Sequence, residues 1–300
     1  MKKWIQLLLA FYCLYLLLFV LTHSVEVSTN LISTLDLWLH HVVPSIVPMV
    51  IVSGLVVVHP LCSKLLYPII HRVIYFENEK AFSLFMVSFF TGAPTSTILV
   101  AKAIQKKEIS KQQGTLLYST CSFISPLFLL SMVNQTFITI IFGTQILVTF
   151  ILYQKGTKKL DVANPLFHQL PYQGYTETLF EMIDTLPQIL LKILATMCII
   201  TIIKLPLEQF SFSLLPYALD VLEISLGLHH VSECIKWDIL QLSMTSALIS
   251  INGFAIWLQI FHTLKKERLT FTPFAKARII HALITTLVSL SIYICLSFFL

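Results

Sequence analysis

Thr91-Gly92-Ala93-Pro94-Thr95-Ser96-Thr97 sets a glycine, a proline and four hydroxyls into an otherwise apolar run. Proline lacks an N–H and clashes with the preceding helical turn; glycine admits positive φ or a close backbone approach. A helix restarting after Pro94 would present free N–H groups around Thr95, Ser96 and Thr97, a positive end suited to an anion. The hydroxyls would add hydrogen bonds. The competing reading is a kinked packing helix with its small residues at a helix–helix contact. The residues alone favour neither.

Other interruptions could face the first. Ser122-Phe123-Ile124-Ser125-Pro126 holds two serines three apart, hence on one helix face, where they line a cavity or bond back to their own helix beside the proline. Asn252, Gly253 and Gln259 break a later apolar run. The two amides, seven apart, share a face and would bind a polar solute or bridge two helices. Asp220 and Glu223, at i and i+3 in a short apolar run, are candidates for proton or ion coupling, because carboxylates at membrane depth are usually functional. His40/His41 and His229/His230 lack a ligand spacing and read as interfacial histidines, so no metal is expected. The six cysteines are scattered without a CxxC and read as small apolar residues. No nucleophile elbow, phosphate loop or HExxH occurs, so neither an enzyme nor a cofactor is implied.

The elements that must position these residues are membrane spans. Of 300 residues, 56% are hydrophobic and 12% charged, about half the charge of a soluble domain. The net charge of +5 is gathered into short clusters between apolar runs, which sets orientation and excludes a nucleic-acid partner. The expected fold is an all-α polytopic membrane protein of about eight segments: Trp4–Leu21, Leu35–Val58, Ala81–Ile104, Thr115–Val133, Phe137–Tyr153, Leu179–Ile203, Trp237–Leu264 and Ala275–Leu300. Two shorter runs, Leu61–Tyr75 and Phe212–Leu228, read as interfacial helices, half-helices or distorted spans. Thr22-His23-Ser24-Val25-Glu26 has no cleavage pattern, so residues 1–34 read as an uncleaved span and an outer loop. The polar stretch 154–178 reads as a cytoplasmic linker between halves 35–153 and 179–300.

The positive-inside rule places the N-terminus and the clusters Lys102–Lys111, Lys155–Lys159 and Lys265–Arg278 on the cytoplasmic side of the membrane. A simple alternating count fails. One full crossing by Ala81–Ile104 would put Lys102–Lys111 outside. Either Leu61–Tyr75 crosses as well, or the segment holding Gly92 and Pro94 dips in and returns. The halves are weakly alike, in inverted or parallel order. Gly92 would match Gly253, and residues 105–110 would match 264–269. Paired interruptions of this kind point to a transport site at a repeat interface.

The run from Gly92-Ala93-Pro94-Thr95 through Lys106-Lys107-Glu108-Ile109-Ser110 to Cys121-Ser122-Phe123-Ile124-Ser125-Pro126-Leu127-Phe128 resembles the nucleoside-recognition (Gate) domain membrane proteins. The nearest likeness is to sporulation integral membrane proteins of the YlbJ type. Leu37-Trp38 with Val43-Pro44-Ser45-Ile46-Val47-Pro48, Leu222-Glu223-Ile224-Ser225-Leu226-Gly227, Asn252-Gly253-Phe254 with Gln259, and Ala277-Arg278-Ile279-Ile280-His281-Ala282-Leu283 extend the likeness over most of residues 35–290. Ala93 stands where that family usually has an aromatic. Ser96, Thr97 and Ile98 stand where a small residue, alanine and lysine are common, so that fixed cation is absent. The second glycine pair is reduced to Asn252-Gly253. The resemblance implies two gate-type repeats, a link to endospore formation, and export of a small aromatic dicarboxylate (dipicolinate). The expected partners are the bilayer and a small polar, anionic or heteroaromatic solute, with a homo-oligomer left open. Gly92, Pro94, Thr95, Ser96, Thr97, Ser122 and Ser125, with Asn252, Gly253 and Gln259 opposite, would bind that solute. The alternative is a non-transporting membrane scaffold of a sporulation or envelope complex.

Overall fold

The first helix, α1 (Lys2–Thr22), meets α2 (Ser24–Leu37) at a single bend, His23, in a computed structural model that describes residues 2–58, 65–158, 160, 174–210 and 215–299. Every regular element among the described residues is a helix. α2 passes through a π-turn, Trp38–Val42, into α3 (Val43–Val58). The widened turn lies just before Pro44, which has no N–H to donate. The outer loop expected at 22–34 is therefore helical, and a boundary at residue 34 falls inside one long helix. Helicity begins there because Ser24–Leu37 contains no proline or glycine to stop it.

The chain continues with α4 (Tyr67–Ile70), α5 (Glu79–Thr91), α6 (Thr95–Gln105), α7 (Lys111–Thr120), α8 (Pro126–Met132) and α9 (Gln135–Thr157). The second half holds α10 (Tyr175–Glu208), α11 (Leu215–Leu219), α12 (Ile224–Cys234), α13 (Asp238–Ile251), α14 (Gly253–Lys266) and α15 (Thr272–Phe299). Parts of the two ambiguous runs and residues 161–173 of the expected linker lie outside the described residues. Six stretches are long and apolar enough to cross a membrane: Lys3–Thr22, Ser24–Leu55, Phe137–Thr157, Tyr175–Glu208, Asp238–Lys266 and Thr272–Phe298. The expected spans Ala81–Ile104 and Thr115–Val133 are each cut in two. Their longest piece, α5 at 13 residues, reaches only about 20 Å at 1.5 Å per residue, short of an apolar layer of about 30 Å.

Solvation is inverted relative to a soluble protein. Trp4, Phe180, Leu287 and many other large apolar side chains are exposed on the outside. Between α9, α13 and α15 the interior holds Thr144, Gln145, Thr149, Ser246, Ser250, His281, Thr285 and Ser289. Thr149 meets His281 at 3.0 Å and Thr144 meets Ser289 at 2.9 Å. An apolar coat over a polar seam of small residues suits a chain solvated by lipid, where small residues and interhelical hydrogen bonds hold helices together.

α5 and α6 form a helical hairpin. Asn78 caps α5 through its side-chain oxygen and donates from Nδ2 to the Glu108 carbonyl at 2.9 Å. Lys80 pairs with Glu108 at 3.3 Å, and Glu77 accepts from the Ser110 N–H. Both ends of the hairpin therefore lie together, and Gly92–Pro94 is its tip. Ala81–Ile104 is thus folded as a hairpin, while the other solution to the charge count, a crossing by Leu61–Tyr75, falls partly outside the described residues. The end of α9 joins the same end of the bundle: Gln154 donates to the Val73 carbonyl and Tyr153 to the Tyr75 carbonyl. Tyr118 donates to the Thr270 carbonyl, bringing in the loop before α15. Lys102–Lys111, Lys155, Lys158 and Lys265–Arg268 thus share one end.

The two basic loops have the same backbone, but in a register two residues from the expected match. Lys107 and Arg268 take positive φ, +56° and +53°. Glu108 and Leu269 then donate back to the Ala103 and Leu264 carbonyls. This is a helix-closing motif that needs a left-handed residue, and it sets Lys107 opposite Arg268.

Candidate interrupted-helix site

The hairpin tip rests on the interruption between α7 and α8. Gly92 has φ +68°, and a Cβ there would lie 2.6 Å from the Ser125 nitrogen. Ala93 donates its N–H to the Phe123 carbonyl at 2.7 Å, and α6 restarts at Thr95 after a cis Ala93–Pro94 peptide. Phe123 is held by stacking on Phe89 of α5, 4.2 Å between ring centroids. Ser122 and Ser125 do not share a helix face, because residues 121–125 are non-helical. Pro126, the first residue of α8, cannot donate to a carbonyl one turn back, so helix α7 cannot simply run through it. Ser122 Oγ donates to the Tyr118 carbonyl and lies 3.4 Å from Thr97 Oγ1. Ser125 Oγ is buried and has no hydrogen-bond partner.

The second interruption, between α13 and α14, meets the first. Asn252 and Gly253 both take positive φ, +71° and +60°, so the helix turns between Asn252 and Gln259 and the seven-residue spacing no longer puts them on one face. Phe254 and Ala255 donate their N–H groups to the Val221 and Leu222 carbonyls at 2.8 Å each. Asn252 Nδ2 reaches the Ser122 carbonyl at 3.0 Å. Arg278 reaches the same oxygen at 2.9 Å and the Thr120 carbonyl at 2.8 Å. One carbonyl thus ties α15 and both interruptions together. Arg278, expected in a basic surface cluster, is only 1% exposed. Its position on α15 follows a polar stripe, Arg278, His281, Thr285 and Ser289, spaced 3, 4 and 4; that spacing was the available sign of burial on one helix face.

A cavity of about 50 Å³ lies beside this junction, lined by Thr91, Pro94, Ser125, Thr196, Glu223 and Gln259 among apolar neighbours. At about 10–15 Å³ per water, it has room for about three to five waters. Gln259 donates to Thr196 at 2.5 Å, which leaves its Oε1 without a partner. Of the expected solute contacts, Pro94, Ser125 and Gln259 face this cavity. Thr95 faces a larger neighbouring cavity. Gly92, Ser96, Thr97, Ser122, Asn252 and Gly253 are buried around the junction instead. Thr91, part of the first motif but not among the expected solute contacts, also lines the cavity, as does Thr196, which lies outside every motif.

The two carboxylates have separate roles. Glu223 is the N-cap of α12 and accepts from the Leu226 N–H at 2.8 Å, so its own carboxyl fills that helix end. Asp220 sits in the turn before it, buried, 2.7 Å from His230 and 3.5 Å from Lys204. They do not share a helix face, and His230 is a hydrogen-bond partner of Asp220, not a plain interfacial residue. Among the described residues no three His, Cys, Asp or Glu side chains group to hold a metal. Comparison of the chain with protein-family models, curated proteins and solved structures returns no match.

Proposed function

We propose that this chain is a membrane transporter that passes a small polar solute between its two interrupted elements. The observation that carries the proposal is the convergence of the α5–α6 tip and both broken helices on one small cavity, mostly apolar with a few polar groups such as Ser125 and Gln259, inside a bundle whose outside is apolar. Irregular backbone at membrane depth is tolerated where it is packed in protein or lines a cavity, and in transporters it marks the substrate site. The architecture reads as two inverted halves. α2–α3, the α5–α6 hairpin, α7–α8 and α9 answer to α10, α11–α12, α13–α14 and α15. In each half the irregular turn between two short helices is hydrogen-bonded to the broken helix that follows it, Ala93 to Phe123 and Val221 to Phe254. The basic end faces the cytoplasm under the positive-inside rule, which puts the N-terminus inside. The resemblance to the sporulation membrane proteins makes pyridine-2,6-dicarboxylate the first solute to test.

A non-transporting scaffold is the second reading. It is favoured by the spending of Asn252, Arg278 and the first N–H groups of α14 on protein carbonyls. Thermal unfolding of the purified protein with a panel of small carboxylates and heteroaromatics separates the two. The transporter reading expects one solute class to raise the midpoint in the wild type and not in Ser125→Ala or Gln259→Leu. A midpoint indifferent to the whole panel supports the scaffold.

A further inference from the structure

Among the described residues that line the small cavity, Glu223 is the only ionisable side chain, and it is 4% exposed. The walls from α3, α5, α8, α10 and α14 bring hydroxyls, one amide and apolar groups, but no base. The charged groups near Glu223 lie outside the lining. Lys204 of α10 is within its electrostatic reach. That lysine is already shared by Glu208 at 2.9 Å and Asp220 at 3.5 Å, so two acids draw on it before a third. His230 of α12 bonds to Asp220 at 2.7 Å. A buried carboxylate with no cation of its own is costly, and a proton removes the charge outright. The Leu226 N–H donates to Glu223 at 2.8 Å, a bond that the carbonyl oxygen of a protonated carboxyl accepts as well, so the helix cap survives in either state. The same turn carries the Val221 and Leu222 carbonyls that hold Phe254 and Ala255. A rearrangement of the second interruption therefore reaches Glu223 through two main-chain hydrogen bonds.

We propose that Glu223 is a proton site and that the solute crosses together with its proton. The proton site rests on the cavity alone; the coupling rests on the transporter reading. With the proton on, Glu223 is a neutral hydrogen-bond donor that meets an acceptor group of the solute. With it off, Glu223 is a negative acceptor that repels the same group. Proton and solute thus raise each other's affinity by the same factor. A proton needs one carboxyl, whereas a hard metal cation takes about six oxygens. Beside the carboxyl, the cavity offers unpartnered oxygens at Ser125 and Gln259.

The proton is read without transport. Infrared difference spectra of the purified full chain, between acid and alkaline buffer, are recorded for wild type, Glu223→Gln and Asp220→Asn. Glutamine keeps an oxygen for the Leu226 N–H and so keeps the cap. We expect a protonated-carboxyl stretch, shifted in heavy water, that Glu223→Gln removes and Asp220→Asn retains. No such band, or one that follows Asp220, would overturn the proton site. Coupling is read in proteoliposomes with the membrane potential clamped, as accumulation of pyridine-2,6-dicarboxylate and a panel of small organic acids beyond that in empty liposomes. One pH unit, acid outside, is expected to concentrate a transported probe about tenfold inside wild-type vesicles. Glu223→Gln is expected to lose the response to the gradient. Flux indifferent to pH, or accumulation driven by a sodium gradient instead, would overturn the coupling. The Glu223 band with no flux of any probe keeps the proton site and removes the transporter reading.

Discussion

Arg278 brings a full charge into the bundle and spends it on main-chain carbonyls at the end of α7: Ser119, Thr120 and Ser122. A cation at a helix C-terminus is favourable both as a hydrogen-bond donor and against the helix dipole. Shortening the side chain leaves those carbonyls buried and unpaired. Arg278→Gln is expected to lower unfolding stability in detergent by about 3 kcal/mol, and a change below about 0.5 kcal/mol would remove this residue from the junction. Gly92 makes a second residue-scale claim. Alanine there meets the Ser125 nitrogen and must hold φ near +68°, so both sterics and conformation oppose it. Gly92→Ala is expected to destabilise by at least about 2 kcal/mol. Gly143→Ala, on α9 with nothing within 4 Å of the added methyl, should be neutral or stabilising by up to about 1 kcal/mol. Equal effects at the two glycines would contradict the packing described.

At the scale of elements, the hairpin decides the topology. If α5 and α6 enter and leave at one end, then Glu79→Cys and Lys107→Cys are both labelled by a membrane-impermeant maleimide from one side, and Trp237→Cys from the other. Labelling of Glu79→Cys and Lys107→Cys from opposite sides would turn the hairpin into a crossing. Much of this level was legible in the residues. Long apolar runs marked the continuous helices, and the charge count required an irregular element near Gly92 and Pro94. What the residues did not carry was long-range. No local pattern says that Ser122 offers its carbonyl to both Asn252 and Arg278, because the pairs are 130 and 156 residues apart. Helical periodicity also misplaced Ser122 beside Ser125 and Asn252 beside Gln259, since it assumes an unbroken helix where the backbone leaves one. The start of α2 was missed for the opposite reason. Val25-Glu26-Val27-Ser28-Thr29-Asn30 looks polar enough for a loop, yet nothing in it forbids helix.

The whole molecule is a bundle with an apolar exterior, a polar seam and two interrupted elements that cross near its middle. Three basic segments gather at one end, and the acidic residues Glu208, Asp220 and Asp238 lie toward the other, where Asp238 accepts from Tyr293 at 3.1 Å and Lys204 joins Glu208 to Asp220. That asymmetry gives the bundle a direction, and the larger cavity opens on the basic side. The central claim is that a small solute passes where the interruptions meet. Its most direct test is flux of pyridine-2,6-dicarboxylate, and of a panel of small organic anions, into proteoliposomes containing wild type or Ser125→Ala. Ser125 lines the cavity with an unpartnered hydroxyl. The account predicts protein-dependent flux of at least one anion, reduced about tenfold by Ser125→Ala, the loss of one hydrogen bond to a charged group, with the unfolding midpoint without solute unchanged. Flux no greater than in empty liposomes for every anion would contradict it.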